Sequence, residues 1–328
     1  MDPNKTGRAF EAIVLEYLIK VLKETNINTS YTLETLEIQK GYIKIFNELA
    51  NLAKINSKYS KVYNDYISTT PQLVNWIIKF FELNSCDSII INKLKDSEAI
   101  GNVADIQLQT THNGYSKIIN LSLKNNHSAL KHSRVGPLPS WLGFSKGTEE
   151  YIEYTNHLLV AREKVINKLT NSSKKLDIKI KNYKDLDLID QNEKKYSTKY
   201  KNQHIYPEFY SVMQTFMENQ TKNKETVNKL FYYLMSAPHY KIINSPKEFH
   251  IYDFTSIPNV NSVTFDIDSR NGYLMLYFDN GYTMTIRLHN DKAEILKSFN
   301  YKCDINLISP EEPDITPYIL NKQNRVRC

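Results

Sequence analysis

The sequence predicts an α/β protein with helical elaborations and an antiparallel β-meander near its C-terminus. Three patterns support this prediction. Up to about residue 87 the apolar residues recur at helical spacing, and beyond it they form short β-rich runs. A long central stretch then returns to helical spacing. From residue 262 onward, alternating segments follow one another with Asn-Gly turns between them.

The N-terminal region is predicted to be helical. From Gly7 to Leu22 the apolar residues stand three or four positions apart, which places them on one face of a helix. A similar stripe around Phe46 extends the helical prediction through Phe81. Pro71 is predicted to begin a helix, because the first helical position does not use the amide hydrogen that proline lacks.

Strands are predicted where the spacing changes. Ser88–Asn92 is rich in β-branched residues, and Gly101–Leu108 and Tyr115–Lys124 follow as two further strands. Asn113-Gly114 lies between the last two, and this dipeptide favours a hairpin because both residues accept positive φ. A basic segment and a turn-rich break at Gly136–Pro139 come next.

The rest of the chain separates into a helical part and a β-rich part. Residues 149–235 show helical spacing. The predicted strands of the meander are Val263–Ile267, Tyr273–Phe278, Tyr282–Leu288 and Tyr301–Ile308. We therefore predict N-terminal helices and a catalytic core over residues 1–148, a mainly helical region over 149–260, and a β-meander over 261–328.

The composition restricts the class of protein. The 328 residues are 41% apolar, enough for a sizeable core, and no apolar run is long enough to span a membrane. The N-terminus lacks the apolar core of a signal peptide, and three widely spaced cysteines fit neither a zinc site nor a disulfide framework. These features predict a cytoplasmic protein without a membrane segment. Its net charge of +6 suits a polyanionic partner.

The candidate active site lies on the predicted hairpin. Asp105 is placed on its first strand, and Ser122 and Lys124 stand two residues apart on the second, so both point to one face. Hydrolysis of a phosphodiester needs a divalent cation held by hard oxygen ligands and a positive group near the attacking water. Asp105 supplies an oxygen ligand, and Lys124 supplies the positive group.

This arrangement resembles the PD-(D/E)xK nuclease core, in which an aspartate on one strand of a mixed sheet precedes an acid-x-lysine motif on the next. Asp105 and Ser122 are 17 residues apart, which fits a hairpin. Ser122 stands where the motif has its second acid, and a hydroxyl is a poorer metal ligand than a carboxylate. The resemblance implies Mg²⁺, with a further ligand from another acid or from the main-chain carbonyl of Leu123.

Glu11 is the leading candidate for the missing acid. Thr6–Glu11 resembles the Gly-x-x-Phe-Glu start of the first helix in several nucleases of this superfamily, where the glutamate faces the metal. The alternative is an ordinary exposed glutamate on an amphipathic helix. Both interpretations stay open on the sequence alone.

The segment after Lys124 carries a more specific resemblance. Residues Leu121–Arg134 contain Ser-x-Lys, then Asn-His, then Lys-His-x-Arg, in the order of the HaeIII restriction endonuclease family, which they closely resemble. Further blocks resemble that family in order along nearly the whole chain: Gly7–Glu11, Trp141–Phe144, Asp279–Tyr282 and Ile286–Asn290.

The resemblance implies a type II restriction endonuclease that cleaves double-stranded DNA at GGCC and leaves blunt ends. Its functional partner would be a cognate cytosine DNA methyltransferase. Beside such a site, Lys131, His132 and Arg134 are predicted to hold phosphates. Asn126 and His127 are predicted to contact DNA or to orient the catalytic lysine. The alternative is a solvated basic loop.

The C-terminal hairpin is a candidate for reading the DNA sequence. Arg287 and His289 are predicted to share a strand face with Thr283 and Thr285. A two-stranded ribbon fits the major groove, and arginine pairs with O6 and N7 of guanine. The alternative for Arg287 is a structural ion pair.

Two other functions are compatible with the sequence. A structure-specific or repair nuclease would use the same core. A non-catalytic DNA-binding protein with a decayed site would explain why Ser122 stands in place of an acid.

Overall fold

Two β-sheets organise the chain in the computed structural model. The structure describes residues 1, 3–25, 27–94, 104–125, 129–177, 179–190, 196–236, 238–268, 272–290, 301–309 and 318–322. Its α-helices are α1 Pro3–Glu24, α2 Leu33–Ala53, α3 Ser57–Phe80, α4 Leu138–Trp141, α5 Glu149–Leu176, α6 Tyr196–Tyr200, α7 Tyr206–Gln220 and α8 Lys224–Met235. Its strands are β1 Asn28–Tyr31, β2 Ser88–Lys93, β3 Ile106–His112, β4 Tyr115–Asn125, β5 Lys131–Arg134, β6 Tyr240–Asn244, β7 Glu248–Asp253, β8 Val263–Ile267, β9 Leu274–Phe278, β10 Thr283–His289, β11 Lys302–Ser309 and β12 Tyr318–Asn321.

The first sheet has seven strands in the order β1-β2-β3-β4-β6-β7-β12. β1 runs parallel to β2, and β4 runs parallel to β6, whereas the other neighbours are antiparallel. The sheet is therefore mixed, which confirms the predicted class. β4 lies at its centre, between β3 and β6.

Helices α1, α2 and α3 pack against the first sheet. Alternate residues of its strands, such as Ile89, Leu121 and Leu123, join a core cluster that these helices share. The alternation arises because successive side chains of a strand point to opposite faces. α1 packs directly on β4. The first helix is thereby held against the strand that carries Lys124.

The predicted Asn-Gly hairpin is confirmed. His112 pairs with Tyr115, so that Asn113 and Gly114 form a two-residue turn between β3 and β4. Their φ angles are 50° and 80°. Positive φ at both positions is the requirement of a type I′ turn, whose twist matches that of the two strands.

The second sheet is antiparallel throughout, in the order β5-β11-β10-β9-β8. Strands β8 to β11 are neighbours in chain order, which confirms the predicted C-terminal meander. β5 comes from the basic segment after β4 and pairs with β11. Helices α4 to α8 share a second core cluster with this sheet.

Several element positions differ from the prediction. β3 begins at Ile106 and extends to His112, later than predicted, while residues 101–103 of the predicted strand lie outside the described residues. Pro71 lies inside α3 and does not begin a helix, because burial of the following Leu73 and Val74 offsets the missing hydrogen bond.

Two strands fall in the region predicted to be mainly helical. β6 and β7 belong to that region, yet they pair with each other in the first sheet, and β6 continues it beside β4. β6 is buried along its whole length. A short, fully buried strand has no alternation, so its sequence cannot be told from that of a helix. Within the described ranges, no helix combines the length and apolarity needed to cross a membrane.

Candidate active site

Asp105 lies where the chain enters β3, one residue before the strand begins. Its amide donates a hydrogen bond to the carbonyl of Leu121 at 2.8 Å. Its carboxylate Oδ2 accepts a hydrogen bond from the amide of Leu123 at 2.6 Å. These two main-chain contacts with β4 fix the carboxylate at the end of the hairpin.

Lys124 and Ser122 approach the same carboxylate oxygen from β4. Lys124 Nζ lies 3.5 Å from Asp105 Oδ2, and Ser122 Oγ lies 3.5 Å from it. Ser122 is fully buried, whereas Lys124 is partly exposed. Because Ser122 is buried against Asp105, it is placed to orient that carboxylate. The structure thus brings Asp105 together with Ser122 and Lys124, the two residues that strand spacing had placed on one face.

Glu11 on α1 is buried at the same end of the sheet. Its Oε2 lies 2.9 Å from Nζ of Lys93 on β2, and the Lys93 side chain is fully buried. Lys93 Nζ also donates to the carbonyl of Leu94 at 3.2 Å and lies 4.8 Å from the centre of the Tyr42 ring. Glu11 is therefore not the ordinary exposed helix residue that the sequence left open.

The charges of Asp105, Lys93 and Lys124 all act on the pKa of the Glu11 carboxyl. Burial raises the pKa of its carboxyl from 4.5 to about 7, and the negative charge of Asp105 adds to the rise. Lys93 and Lys124 act in the opposite direction. The two lysines therefore do not fully offset the cost of ionising Glu11. An additional cation between the carboxylates of Glu11 and Asp105 would stabilise the ionised form.

The oxygen donors suit a hard divalent cation such as Mg²⁺, which prefers carboxylates and carbonyls. Glu11 and Asp105 supply two carboxylates that sense each other's charge. In a strand, the N–H and C=O of one residue face the same neighbouring strand. Because the amide of Leu123 bonds to Asp105, the carbonyl of Leu123 is on that side as well. These donors are of the kind needed by the Mg²⁺ that the resemblance implies.

Two buried residues beside the site were not predicted from the sequence. Lys241 on β6 donates from Nζ to the carbonyl of Ala129 at 2.8 Å, and burial together with the charge of Lys124 lowers its pKa to about 7. Burial and the same two lysines lower the pKa of His239 to about 3. Burial and the charge of Lys124 therefore disfavour the protonated forms of both groups, and His239 is neutral beside the site.

The basic segment after β4 forms β5, an edge strand of the second sheet. Asn126 and His127, predicted as DNA contacts, lie outside the described residues. His132 and Arg134 alternate along β5 with buried residues and are partly exposed. The alternative of a solvated basic loop is therefore wrong for the residues of β5.

Lys131, which the sequence predicted to hold a phosphate, is buried and only 2% exposed. Its Nζ donates to the main-chain carbonyl of Tyr233 at 3.2 Å and lies 3.3 Å from the centre of that ring. The strand alternation turns it into the core, away from His132 and Arg134. This burial argues against a direct phosphate contact and for a structural role.

Lys131→Ala tests this correction. We expect the free energy of unfolding to fall by about 2–4 kcal/mol, because the substitution removes a buried aliphatic stem and a cation–π contact. The salt dependence of DNA binding should stay that of the wild type. Urea unfolding and DNA binding at several salt concentrations measure the two quantities, with the exposed Lys44→Ala as control. If the variant kept the wild-type stability but its DNA binding depended less on salt, Lys131 would contact a phosphate after all.

The second sheet has one polar face, built by side chains of β5, β11 and β10. Cross-strand pairing arranges six residues in two rows, which we call the polar face: His132, Asp304 and Arg287, and then Arg134, Lys302 and His289. The intervening residues of β10, Ile286 and Leu288, lie in the core. The predicted alternation is confirmed from Ile286 to His289, whereas Thr285, predicted to share the face of Arg287, is buried. Arg287 is exposed, with its guanidinium carbon 5.8 Å from the centre of the Tyr273 ring.

Asp304 connects the two histidines of the polar face. Its Oδ1 lies 2.7 Å from Nδ1 of His132 and 3.1 Å from Nε2 of His289. Burial by itself raises the pKa of Asp304, but the hydrogen bonds from His132 and His289 outweigh it and hold that pKa well below its usual range. The two histidines therefore form one unit around a shared carboxylate.

The sequence held a signal for one of the missed residues. Lys93 stands in phase with Ile89 and Ile91, so the alternation of β2 places it on the buried face. A lysine that the alternation places on the buried face of a strand needs a charged partner. Asp304 carried no comparable signal, because one of its partners lies on β5, far away in the sequence.

Comparison with known proteins gives a match over most of the chain. The model of a family described as HaeIII restriction endonuclease matches residues 7–310. This range begins in α1 and ends just past β11, so it includes every strand of the two sheets except β12. Neither a search of curated proteins nor a search of solved structures returned a match.

Proposed function

The chain belongs to the HaeIII restriction endonuclease family, and we propose that it cleaves double-stranded DNA at the palindrome GGCC, leaving blunt ends, by metal-dependent hydrolysis. The observation that supports this chemistry is the convergence of Glu11, Asp105 and Lys124 at one end of the first sheet. In this proposal the enzyme acts in the cytoplasm, and a cytosine methyltransferase protects the host's own sites.

Glu11, Asp105 and the carbonyl of Leu123 are proposed to hold Mg²⁺. When bound, such an ion polarises a phosphoryl oxygen and lowers the pKa of the attacking water. Ser122, fully buried beside Asp105, is proposed to orient that carboxylate in place of binding the ion. Glu11 takes the place of that acid from a different element of the fold.

Lys124 is proposed to act on the attacking water and on the phosphate. Its ammonium is partly exposed and lies 3.5 Å from Asp105 Oδ2, so it sits at the edge of the carboxylate cluster. From there it can orient the water and stabilise the negative charge that develops on the phosphoryl oxygens. Lys93, fully buried against Glu11, holds that glutamate in position.

The polar face is proposed to contact DNA, together with Asn126 and His127. It carries three cationic side chains against the single carboxylate of Asp304. Arginine forms bidentate hydrogen bonds with guanine, which suits a GGCC site. Of its two arginines, Arg287 is the more exposed and is assigned to base reading.

Digestion of a plasmid of known sequence with Mg²⁺, followed by end mapping, tests the proposal. We expect discrete blunt-ended fragments cut at GGCC, and no cutting after treatment of the plasmid with a cytosine methyltransferase specific for that site. Cutting only at branched or damaged DNA would indicate a nuclease of another kind on the same core. Binding of DNA without cleavage under any divalent cation would indicate a non-catalytic protein.

Arg287→Ala tests the assignment of the polar face. We expect binding to a duplex with the recognition site to weaken by about 10- to 100-fold, since one bidentate pair discriminates by about 1–3 kcal/mol. Binding to a duplex without the site should change little. Fluorescence anisotropy on both duplexes measures this, with Lys44→Ala as control. An equal loss of affinity for both duplexes would indicate that Arg287 contacts a phosphate and not a base.

A further inference from the structure

We propose that His132, His289 and Asp304 form a binding site for Zn²⁺ or a closely related transition-metal ion, separate from the candidate active site. Each residue offers one ligand atom, and the three atoms lie within 4.8 Å of one another. They are Nδ1 of His132, Nε2 of His289 and Oδ1 of Asp304.

The spacing of these atoms suits coordination. Oδ1 of Asp304 lies 2.7 Å from the His132 nitrogen and 3.1 Å from the His289 nitrogen. Zn²⁺ holds its ligands at about 2.0–2.2 Å, so neighbouring ligands of a tetrahedral ion are about 3.3 Å apart. Small side-chain movements would therefore admit the ion. Each ring would keep one proton by moving it to its other nitrogen, so both histidines would remain neutral.

The types of donor separate this site from the candidate active site. Two imidazole nitrogens and one carboxylate oxygen suit Zn²⁺, Co²⁺ or Ni²⁺, whereas Mg²⁺ favours oxygen ligands alone. All three side chains are partly exposed, between 19% and 35%. A bound ion would thus keep a position open to water or to an external ligand, as three-ligand zinc sites do.

The fold holds the three residues on rigid elements. His132 stands directly opposite Asp304 in the pairing of β5 with β11, and His289 comes from β10 on the other side of β11. The neighbouring residues Cys303 and Ile305 are fully buried. A site carried by three adjacent strands loses little conformational freedom when an ion binds.

A divalent ion would reverse the charge at the centre of the polar face, where Asp304 places a carboxylate among cations. Where the polar face contacts DNA, as proposed above, this change would strengthen phosphate binding. The metal site itself does not rest on that function, because it can be measured on the protein without DNA.

Titration of the metal-free full chain with Co²⁺, followed by its visible absorption, tests the site. We expect the d–d bands of a nitrogen-ligated ion in the wild type and in Asp105→Asn, which alters only the candidate active site. Asp304→Asn and His289→Gln should lower the affinity for Co²⁺ and for Zn²⁺ by at least about 100-fold, since loss of an outer-shell partner already reaches that size.

His157→Gln is the matched control, because His157 is exposed on α5 and is not one of the three proposed ligands. Thermal unfolding monitors the fold of each variant, and His132→Gln replaces any variant that fails to fold. Absence of the d–d bands in the wild type, or equal Co²⁺ affinity in wild type and the ligand variants, would overturn the proposal. In either case the cleavage assay of the wild type with Mg²⁺ would still decide the nuclease function.

Discussion

We expect Lys124→Ala and Asp105→Asn to reduce cleavage of a cognate duplex by at least about 100-fold, while each variant stays folded and binds DNA. The reason is that both groups are proposed to act on the transition state. Removal of one preorganised group that stabilises developing charge costs about 100- to 1,000-fold in rate, and Asp105→Asn also weakens the hold on the cation. Single-turnover cleavage at saturating enzyme measures the chemical step.

Lys117→Ala is the matched control for Lys124→Ala, because Lys117 is exposed at the far end of the same strand. Asp105→Asn should bind cognate DNA at least as tightly as the wild type, since a negative charge near the phosphate is lost. Cleavage at the wild-type rate by either Lys124→Ala or Asp105→Asn would place the chemistry elsewhere in the protein. Loss of folding in Asp105→Asn would leave Lys124→Ala to decide.

The second large effect is expected at Glu11, in the stability of the metal-free protein. Burial raises the pKa of Glu11 from 4.5 to about 7. Between these two pH values the folded chain keeps a proton on Glu11 that the unfolded chain has released. The stabilisation from this proton is complete below about pH 4.5 and is lost as the pH rises through about 7. Glu11→Gln keeps a neutral side chain throughout. The free energy of unfolding of the wild type should therefore fall by about 2–3 kcal/mol relative to Glu11→Gln between about pH 5 and pH 8.

Urea unfolding in the presence of a chelator measures this difference, and added Mg²⁺ should reduce it for the wild type at the higher pH. Glu11→Gln should also cleave at least about 100-fold more slowly, since it loses a proposed metal ligand. Glu24→Gln, on the exposed end of the same helix, is the control. If Glu11→Gln cleaved at the wild-type rate, and its free energy of unfolding changed with pH in parallel with that of the wild type, Glu11 would have no role in catalysis.

The parts of the fold that the sequence predicted are those with a local signal. The type I′ turn at Asn113-Gly114 and the alternation of β10 from Ile286 to His289 depend on neighbours in the chain, so propensity and spacing were sufficient to find them. Asp105, Ser122 and Lys124 meet because they are joined by that hairpin. Their approach therefore follows from the turn and the strand spacing alone.

The parts that were missed depend on partners far away in the sequence. Lys131 was predicted to hold a phosphate, but its direction follows from the pairing of β5 with β11, more than 160 residues later. Glu11 needed the packing of α1 on β4 to be recognised as buried. Asp304, on a strand between them, links His132 and His289. Propensity carries no information about such non-local pairs.

The connection between the two sheets sets a length scale for the enzyme. β4 ends at Asn125 and β5 begins at Lys131, with five residues between them. Six steps of extended chain reach at most about 22 Å, and Lys241 anchors the connection to the first sheet through the carbonyl of Ala129. If the second sheet contacts the bases and the first sheet carries the cleavage site, this short connection limits how far apart the two can lie. Insertions into it should scatter the position of the cut before they abolish binding.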